Sequence, residues 1–212
     1  MTALRTTFGL IALAALSQAA IIIGGPPDPA TGNCFPFGCS GGTRYQQVYN
    51  AAEFGGPTLI TSITFYNTQY FPGSVAPGTY DFYLSTTSKP VDGLDTVMSN
   101  NVGGDNAHFA LYVGGGSAFP SFTVSGTGFA YDPANGNLLV DIFVSNAGGG
   151  TVFLDARNGS GTGATSRMHD FGCCFEGWGL VTGFNVTVVP EPSTYATFAA
   201  GLAGLAFLRR RR

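Results

Sequence analysis

Short runs in which apolar and polar residues alternate fill the chain between positions 43 and 189. In the clearest run, Thr58–Tyr66, the alternation predicts a strand with Leu59, Ile63 and Phe65 on its buried face. The same period predicts half-buried strands in three further runs, Thr79–Ser85, Leu138–Ser145 and Leu180–Val189. The residues expected to face the core there are Tyr80, Phe82 and Leu84, then Leu138, Val140, Ile142 and Val144, then Leu180, Phe184, Val186 and Val188. Less regular runs complete about eight strands: Arg44–Tyr49, His108–Val113, Phe119–Ser125 and Thr151–Asp155.

Turn-forming residues separate these runs. Gly, Pro and Asn cluster at 55–57, 77–78 and 132–137, where the backbone must reverse. Helical turns are expected only at 50–54 and 91–98. Many short strands with turn signals between them, and no long helical pattern, predict an all-β domain. The expected architecture is a single β-sandwich of jelly-roll type.

The first twenty residues have the layout of a secretory signal peptide. One basic residue, Arg5, precedes an apolar stretch from Phe8 to Leu16, and small residues follow as far as Ala20. The apolar stretch is shorter than the roughly 20 residues that a membrane-spanning helix needs. We therefore expect residues 1–20 to be a signal peptide and the domain that follows it to be exported.

Charge is scarce in the predicted domain, and its balance is acidic. Five of the nine basic residues lie in the two end segments, so four basic residues face eleven acidic ones between Ile21 and Val189, a balance of −7. So few cations leave no electrostatic footprint for nucleic acid. The chain also holds 18 Phe, 9 Tyr and 32 Gly, which favours a folded β domain with tight turns over disorder.

Four cysteines fit an oxidising compartment and an even number of disulfide partners: Cys34, Cys39, Cys173 and Cys174. Three connectivities are possible. A bridge between the two adjacent cysteines would close a strained ring, so we favour two cross-links that tie the Cys34–Cys39 loop to the Cys173–Cys174 loop. A zinc site is the rival interpretation, although an adjacent pair cannot easily chelate one ion and secreted thiols oxidise. We expect no metal and no cofactor.

Catalytic chemistry has weak support. Ser166, His169 and Asp170 lie so close in sequence that they are not expected to converge as a relay, and His108 begins a predicted strand. Carboxylates on strands would have to flank a groove to hydrolyse a glycosidic bond, but exposed strand carboxylates are usually only solvated. Those candidates are Asp81, Asp141 and Asp155. We predict no catalytic residue.

Two features suggest binding. The segment 91–106 collects oxygen ligands that suit Ca²⁺, without the spacing of an EF-hand, so a loop rich in Asx turns is the alternative. Those residues are Asp92, Asp95, Asn100, Asn101, Asp105 and Asn106. Exposed aromatic rings could stack on sugars, although most aromatics must fill the core. The candidates are Tyr66, Tyr70, Phe71, Tyr83, Tyr112 and Trp178.

The C-terminal stretch combines three elements in order. Two prolines around a glutamate keep the chain extended. The apolar run Tyr195–Leu208 would form about 21 Å of helix, against about 30 Å of hydrocarbon in a bilayer. The last four residues are cations that the positive-inside rule keeps in the cytoplasm: Arg209, Arg210, Arg211 and Arg212. We expect transient insertion in the inner membrane, with both chain ends inside and the domain outside.

This order of elements resembles the PEP-CTERM sorting signal. The processing motif would be Pro190, Glu191 and Pro192, followed by Ser193 and Thr194, the apolar helix and the arginine cluster. The resemblance implies recognition by exosortase, a membrane-embedded transpeptidase of Gram-negative bacteria that make exopolysaccharide.

The central domain is similar, more loosely, to the β-sandwich cargo domains of such proteins, which carry no activity to transfer. The segments concerned are 44–67, 137–142 and 153–158. We expect four parts: a signal peptide (1–20), a Gly/Pro-rich segment with one cysteine pair (21–42), the sandwich (43–189) and the sorting signal (190–212). The expected function is that of an exported, non-enzymatic surface or extracellular-matrix protein, with exopolysaccharide as its partner. A carbohydrate-binding module with a defined sugar site, a secreted hydrolase and an unprocessed membrane-anchored protein are the alternatives.

Overall fold

The computed structural model describes residues 18–25, 32–39, 42–68, 72–145, 147–158, 163–170 and 177–188. Within these ranges the regular elements are strands and three short 3₁₀ helices, so the all-β prediction is confirmed. The strands are β1 (Gln18–Ile23), β2 (Gly32–Asn33), β3 (Arg44–Tyr49), β4 (Thr58–Tyr66), β5 (Thr79–Thr87), β6 (Ala107–Val113), β7 (Ser121–Tyr131), β8 (Asn137–Ser145), β9 (Leu154–Asn158), β10 (Thr165–His169), β11 (Trp178–Leu180) and β12 (Thr182–Val188).

Two antiparallel sheets form the layers of a sandwich. The four-stranded sheet has the order β1-β12-β4-β7, the five-stranded sheet has the order β10-β3-β8-β5-β6, and a small third sheet joins β11, β9 and β2. Aromatic rings cross between the layers: Tyr49 on β3 lies 4.9 Å from Phe184 on β12, and Tyr112 on β6 lies 5.2 Å from Phe122 on β7. Side chains of both inner faces therefore fill one core, as in a packed sandwich.

The predicted core faces of β5, β8 and β12 are confirmed. Tyr80, Phe82 and Leu84 are fully buried, because every second residue of a strand lies on the same face and this face of β5 packs on the core. The side chain of Val188 lies outside the described part. The other predicted core residues are buried as well: Leu138, Val140, Ile142, Val144, Leu180, Phe184 and Val186.

The predicted face of β4 is wrong at its start. Ile60 is fully buried in the core, whereas Leu59 is only half-buried. The pairing with β7 and with β12 shifts register between Ile60 and Ser62, which marks a β-bulge. Because the bulge adds one residue, the alternation before it has the opposite phase to that of Ile63 and Phe65 after it.

Two predicted strands are displaced, and one is divided. The ladder of β7 begins at Ser121, not Phe119, and β9 begins at Leu154, not Thr151. The backbone N–H groups of Thr151 and Val152 donate to the carbonyl of Ser74 in a loop, which keeps them out of the ladder. The run from Leu180 divides at Val181 into β11 and β12. The strands β1, β2 and β10 were not predicted from the sequence pattern.

The predicted helical turn at 50–54 is present as a 3₁₀ helix, Ala51–Glu53. The side chain of Asn50 accepts a hydrogen bond from the N–H of Ala52 at 2.9 Å and so caps the turn. The turn expected at 91–98 lies later, at Met98–Asn101.

The favoured disulfide pairing is wrong for the first cysteine pair. Cys34 is bonded to Cys39, with their Cα atoms 5.1 Å apart. A tight turn brings the two together, because the N–H of Cys39 donates to the carbonyl of Cys34 at 3.1 Å. The cross-link is therefore local. Cys173 and Cys174 lie outside the described residues.

The connection between β5 and β6, residues 88–106, covers one end of the outer face of the five-stranded sheet. A small second hydrophobic cluster lies beneath it: Val48, Leu94, Leu139 and Met168. At the opposite end of this face several side chains are exposed to solvent, among them Leu111, Val113 and Phe143.

Candidate functional site

Six charged and aromatic side chains share the open end of that outer face. Strand alternation points them away from the core, since neighbours such as Phe82 and Ile142 are fully buried. We call these six residues the outer band: Arg44, Asp81, Tyr83, His108, Asp141 and Phe143.

The register of four neighbouring strands fixes the outer band. Opposite residues form two rows across β3, β8, β5 and β6, first Arg44, Phe143, Asp81 and Leu111, and next Gln46, Asp141, Tyr83 and His108. Diagonal neighbours across two strands are close enough for long side chains to meet. Three contacts of the outer band are of this diagonal kind: Arg44 with Asp141, Asp81 with His108, and Tyr83 with Phe143.

Arg44 and Asp141 form a bidentate ion pair. The Nε atom of Arg44 lies 2.9 Å from Oδ1 of Asp141, and a terminal guanidinium nitrogen lies 2.6 Å from Oδ2. The guanidinium carbon also lies 4.5 Å from the ring centroid of Phe143, in cation–π contact. Asp141 is almost completely buried beneath these groups. This geometry holds the arginine in one orientation.

Asp81 links the other two polar members. Its Oδ1 atom lies 2.7 Å from Nε2 of His108, and its Oδ2 atom accepts a longer hydrogen bond, 3.4 Å, from the hydroxyl of Tyr83. The nearby Asp81 charge raises the pKa of the Tyr83 phenol, with added contributions from burial, from this hydrogen bond and from Asp141. Tyr83 therefore remains a protonated donor at neutral pH.

The rings of Tyr83 and Phe143 stand at 83° to each other with centroids 5.7 Å apart. Phe143 remains 39% exposed. Leu111 and Val113, on the edge strand β6, extend this apolar surface with exposures of 60% and 67%. The open end of the face thus offers apolar area next to fixed charges.

A β-bulge on β6 brings His108 into the outer band. Phe82 pairs with Ala110 and the next residue, Tyr83, pairs with His108, so Phe109 is an extra residue. Phe109 and Ala110 are both buried, which leaves His108 and Leu111 both pointing outward. Re-aiming side chains in this way is a common effect of bulges.

Ser166, His169 and Asp170 do not converge. The hydroxyl of Ser166 accepts a hydrogen bond from the N–H of Asp92 at 2.7 Å, under the loop on the outer side of the sheet. His169 is buried and stacks on Phe35 with centroids 4.8 Å apart. Alternation along β10 sends the serine and the histidine to opposite faces, so they form no relay.

Asp170 fixes the start of β3. Its Oδ1 atom accepts hydrogen bonds from the backbone N–H of Thr43 at 2.8 Å and of Arg44 at 2.9 Å, and Oδ2 accepts from the Thr43 hydroxyl. Partial burial raises the pKa of this carboxyl, but the hydrogen bonds outweigh it and leave the pKa below its ordinary value.

The strand carboxylates also separate. Asp155, on β9, is completely buried and accepts from the N–H and the hydroxyl of Thr68 at 3.0 and 2.7 Å. Asp81 and Asp141 alone among the three share the outer face. Each has both oxygens in hydrogen bonds within the outer band, which suits a fixed polar surface better than a proton-transferring pair.

The oxygen-rich loop 91–106 uses its side chains to hold its own backbone and that of the end of β5. Asp95 accepts from the N–H of Val97 at 2.8 Å and from the amide of Asn100 at 3.1 Å, and these bonds lower the pKa of its carboxyl. Asp105 accepts from the N–H of Thr86 at 2.7 Å. No group of three or more His, Cys, Asp or Glu side chains is arranged to hold a metal ion in the part of the chain that the structure describes.

One of the predicted sugar-stacking aromatics belongs to the outer band. Tyr83 does, whereas Tyr112 stacks on Phe122 and Trp178 packs against the core. Tyr66 is half-buried on β4, and Tyr70 and Phe71 lie outside the described residues. The sequence singled out His108 only as a histidine at the start of a predicted strand, and Phe143 was not predicted as a site residue. Phe143 could have been found, because it shares the polar side of the alternating run with Asp141.

The last strand leads directly to the C-terminal motif. β12 ends at Val188, two positions before Pro190. It pairs antiparallel with β1, so Gln18 lies opposite Thr187. The two ends of the described domain therefore leave the four-stranded sheet side by side. The predicted signal peptide, apart from its last three residues, and the predicted sorting motif with its arginine cluster lie outside the described residues.

Within the described ranges, no helix has the length and apolarity that crossing a bilayer requires. No curated protein and no solved structure matches the chain. Residues 188–212 match the family model of the PEP-CTERM protein-sorting motif. This match confirms the resemblance seen in the sequence. It implies that exosortase processes the chain and that the protein is exported through the membrane to the cell surface. The chain therefore carries a PEP-CTERM protein-sorting motif at residues 188–212.

Proposed function

We propose that the exported domain is a non-enzymatic component of the cell surface or extracellular matrix, with exopolysaccharide as its partner. The sorting motif at 188–212 carries the proposal, because it directs the protein to the surface, where a matrix polymer is the surrounding material. The acidic balance of the domain keeps it soluble there and disfavours nucleic acid.

Side-chain geometry supports a non-enzymatic role. Asp81 and Asp141 would be the pair for glycosidic hydrolysis, yet Arg44 engages both oxygens of one and His108 and Tyr83 engage the other. A general acid must be able to give its proton to a leaving group and regain it. Carboxylates held in this way support recognition instead.

The placement of the chain ends supports a membrane-held intermediate. Because β1 and β12 are paired, the N-terminal segment and the sorting motif leave the domain at the same end of one sheet. Before the signal peptide is removed, both can enter the same membrane with the sandwich outside, and Ile21–Ile23 still pair with β12 after cleavage near Ala20. We propose that the signal peptide is removed near Ala20 and that exosortase acts near Pro190.

The test is the intact mass and the location of the protein in a producing host and in the same host without exosortase. We expect a product that begins near Ala20 or Ile21 and ends between Pro190 and Ser193, found with the extracellular matrix only when the enzyme is present. A product that retains Arg212 in both hosts would mean that the tail is a plain anchor.

The non-enzymatic part has its own measurement. The matrix-associated protein is incubated with polysaccharide extracted from the host, and new reducing ends are counted. We expect none above a heat-inactivated sample. Release that disappears in Asp81→Asn or Asp141→Asn would instead identify a hydrolase.

A further inference from the structure

The outer band is a preorganised surface. Its ion pair, its aromatic pair and its Asp81–His108 contact follow one another across four strands of a single sheet. Each polar group is already oriented by a neighbour on a rigid element, so a ligand would not have to order it.

The mixture of groups limits the class of ligand. Pyranose rings have apolar C–H faces that lie against aromatic and aliphatic surface, and hydroxyls that pair with carboxylates and guanidinium groups. Phe143, Tyr83 and Leu111 supply the first kind of surface. Arg44 and Asp81 supply the second, at its two sides. Apolar surface beside a few fixed polar groups is the usual composition of a ligand site.

Charge limits the ligand further. The cation of the outer band, Arg44, is paired with Asp141, and His108 is paired with Asp81. An acidic polymer would find no unpaired cation in the outer band and would approach a domain with a balance of −7. A neutral polymer meets neither obstacle.

We propose that the outer band binds a neutral polysaccharide, with the rings of Phe143 and Tyr83 against the sugar faces and Arg44 and Asp81 on the hydroxyls. Asp141 and His108 are positioning residues that hold the arginine and the aspartate. This inference rests on the proposed function, since it names the class of polymer and the face of the domain that meets it.

The test is native affinity electrophoresis of the full chain. The matrix polysaccharide of the host is separated on an anion exchanger, and the gel contains either the unretained, neutral fraction or the retained, acidic fraction. We expect the neutral fraction to retard the wild type and the acidic fraction to leave it unchanged. Retardation by the acidic fraction alone, or by neither, overturns the inference.

Variants assign the binding to the outer band. Phe143→Ala should weaken retardation about tenfold, as the loss of one central aromatic contact does. The matched control is Phe153→Ala, which removes a ring exposed to a similar degree, 47% against 39%, outside the outer band. The control should stay within about twofold of wild type. Equal retardation of Phe143→Ala and wild type places the sugar elsewhere and overturns the inference.

A conservative variant separates binding from folding. Tyr83→Phe keeps the ring and loses the hydroxyl, so it should bind almost as wild type, whereas Tyr83→Ala should bind as weakly as Phe143→Ala. All variants must show the wild-type thermal transition. Sedimentation of each tests the rival occupant, a second copy of the chain. A dimer that Phe143→Ala converts to a monomer would assign the face to self-association and overturn the inference.

The proposed function can fail separately. If the wild type is absent from the matrix in the host, the proposed function fails whatever the gels show. If the wild type is present there and Phe143→Ala is retained equally, the matrix role stands and the outer band is not the contact.

Discussion

Replacing Phe37 by alanine tests whether the turn closed by the Cys34–Cys39 disulfide is part of the core. The residue lies inside the Cys34–Cys39 turn and is completely buried. Its ring centroid lies 5.0 Å from those of Phe65, Tyr80 and Phe122, so it contacts both layers of the sandwich. Its carbonyl also accepts a hydrogen bond from the backbone of β5's preceding loop. The turn therefore inserts a ring between the sheets.

The expected cost of Phe37→Ala follows from this burial. Truncating a buried phenylalanine costs about 3–5 kcal/mol, from lost transfer free energy and from the cavity that remains. Contacts with three aromatic rings place the value toward the upper end of that range. For a domain of this size each kcal/mol lowers Tm by about 2–4 °C, so the midpoint should fall by roughly 6–20 °C.

The chain offers its own reporter for this measurement. Trp178 is its single tryptophan and packs, partly buried, against the core, so its fluorescence should follow unfolding in urea. Phe153→Ala, at an exposed ring, is the control and should cost less than about 1 kcal/mol. Thiol counting confirms that the disulfide is intact in each variant. A loss below about 1 kcal/mol in Phe37→Ala, with an unchanged denaturant slope, would refute the view that this ring is a core element.

Three further predictions concern single positions. The pKa of Asp170 is lowered in the folded state, so the stability that its carboxylate contributes is present above its ordinary pKa of 3.8 and is lost as the pH falls through the lowered value. Asp170→Asn should therefore cost about 1 kcal/mol at pH 7 and flatten the acid side of a plot of unfolding free energy against pH. A plot that stays parallel to that of the wild type would contradict this. A Cβ at Gly103 would collide with a backbone carbonyl of β5, whereas one at Gly104 meets nothing within 4 Å, so Gly103→Ala should lower Tm clearly and Gly104→Ala should not, and equal midpoints would rule out the close approach. Replacing Cys34 and Cys39 together by Ser should cost about 2 kcal/mol, as expected for a short closed loop, and peptide mapping without reduction should find these two residues linked to each other.

Where alternation was uninterrupted, the sequence predicted the strands and their faces. Tyr80, Phe82 and Leu84 are buried as expected, because period-two patterning is a local property of an extended chain. The pattern also contained Phe143, on the polar side of its run. The alternation alone could predict that the Phe143 ring is exposed, but it could not predict that the ring contacts Arg44 and Tyr83.

β-Bulges and very short strands could not be predicted from the alternation of apolar and polar residues. The bulge at Ile60–Ser62 reversed the expected role of Leu59, and the bulge at Phe109 placed His108 on the outer face. An extra residue in one strand is defined by the partner strand, which sequence patterning does not contain. β2 and β11 are too short to carry a period and exist because neighbouring strands pair with them.

The sequence by itself determined the C-terminal sorting motif of this protein and the all-β class of its fold. A sorting motif is recognised by another protein as a linear segment, so it can be identified from consecutive residues. Residues 188–212 contain that motif. The outer band, in contrast, joins residues as far apart in the chain as Arg44 and Phe143. Their contacts depend on the order and register of four strands, which form only when the sheet assembles and buries its inner face. Only the tertiary structure could therefore bring the proposed binding surface together.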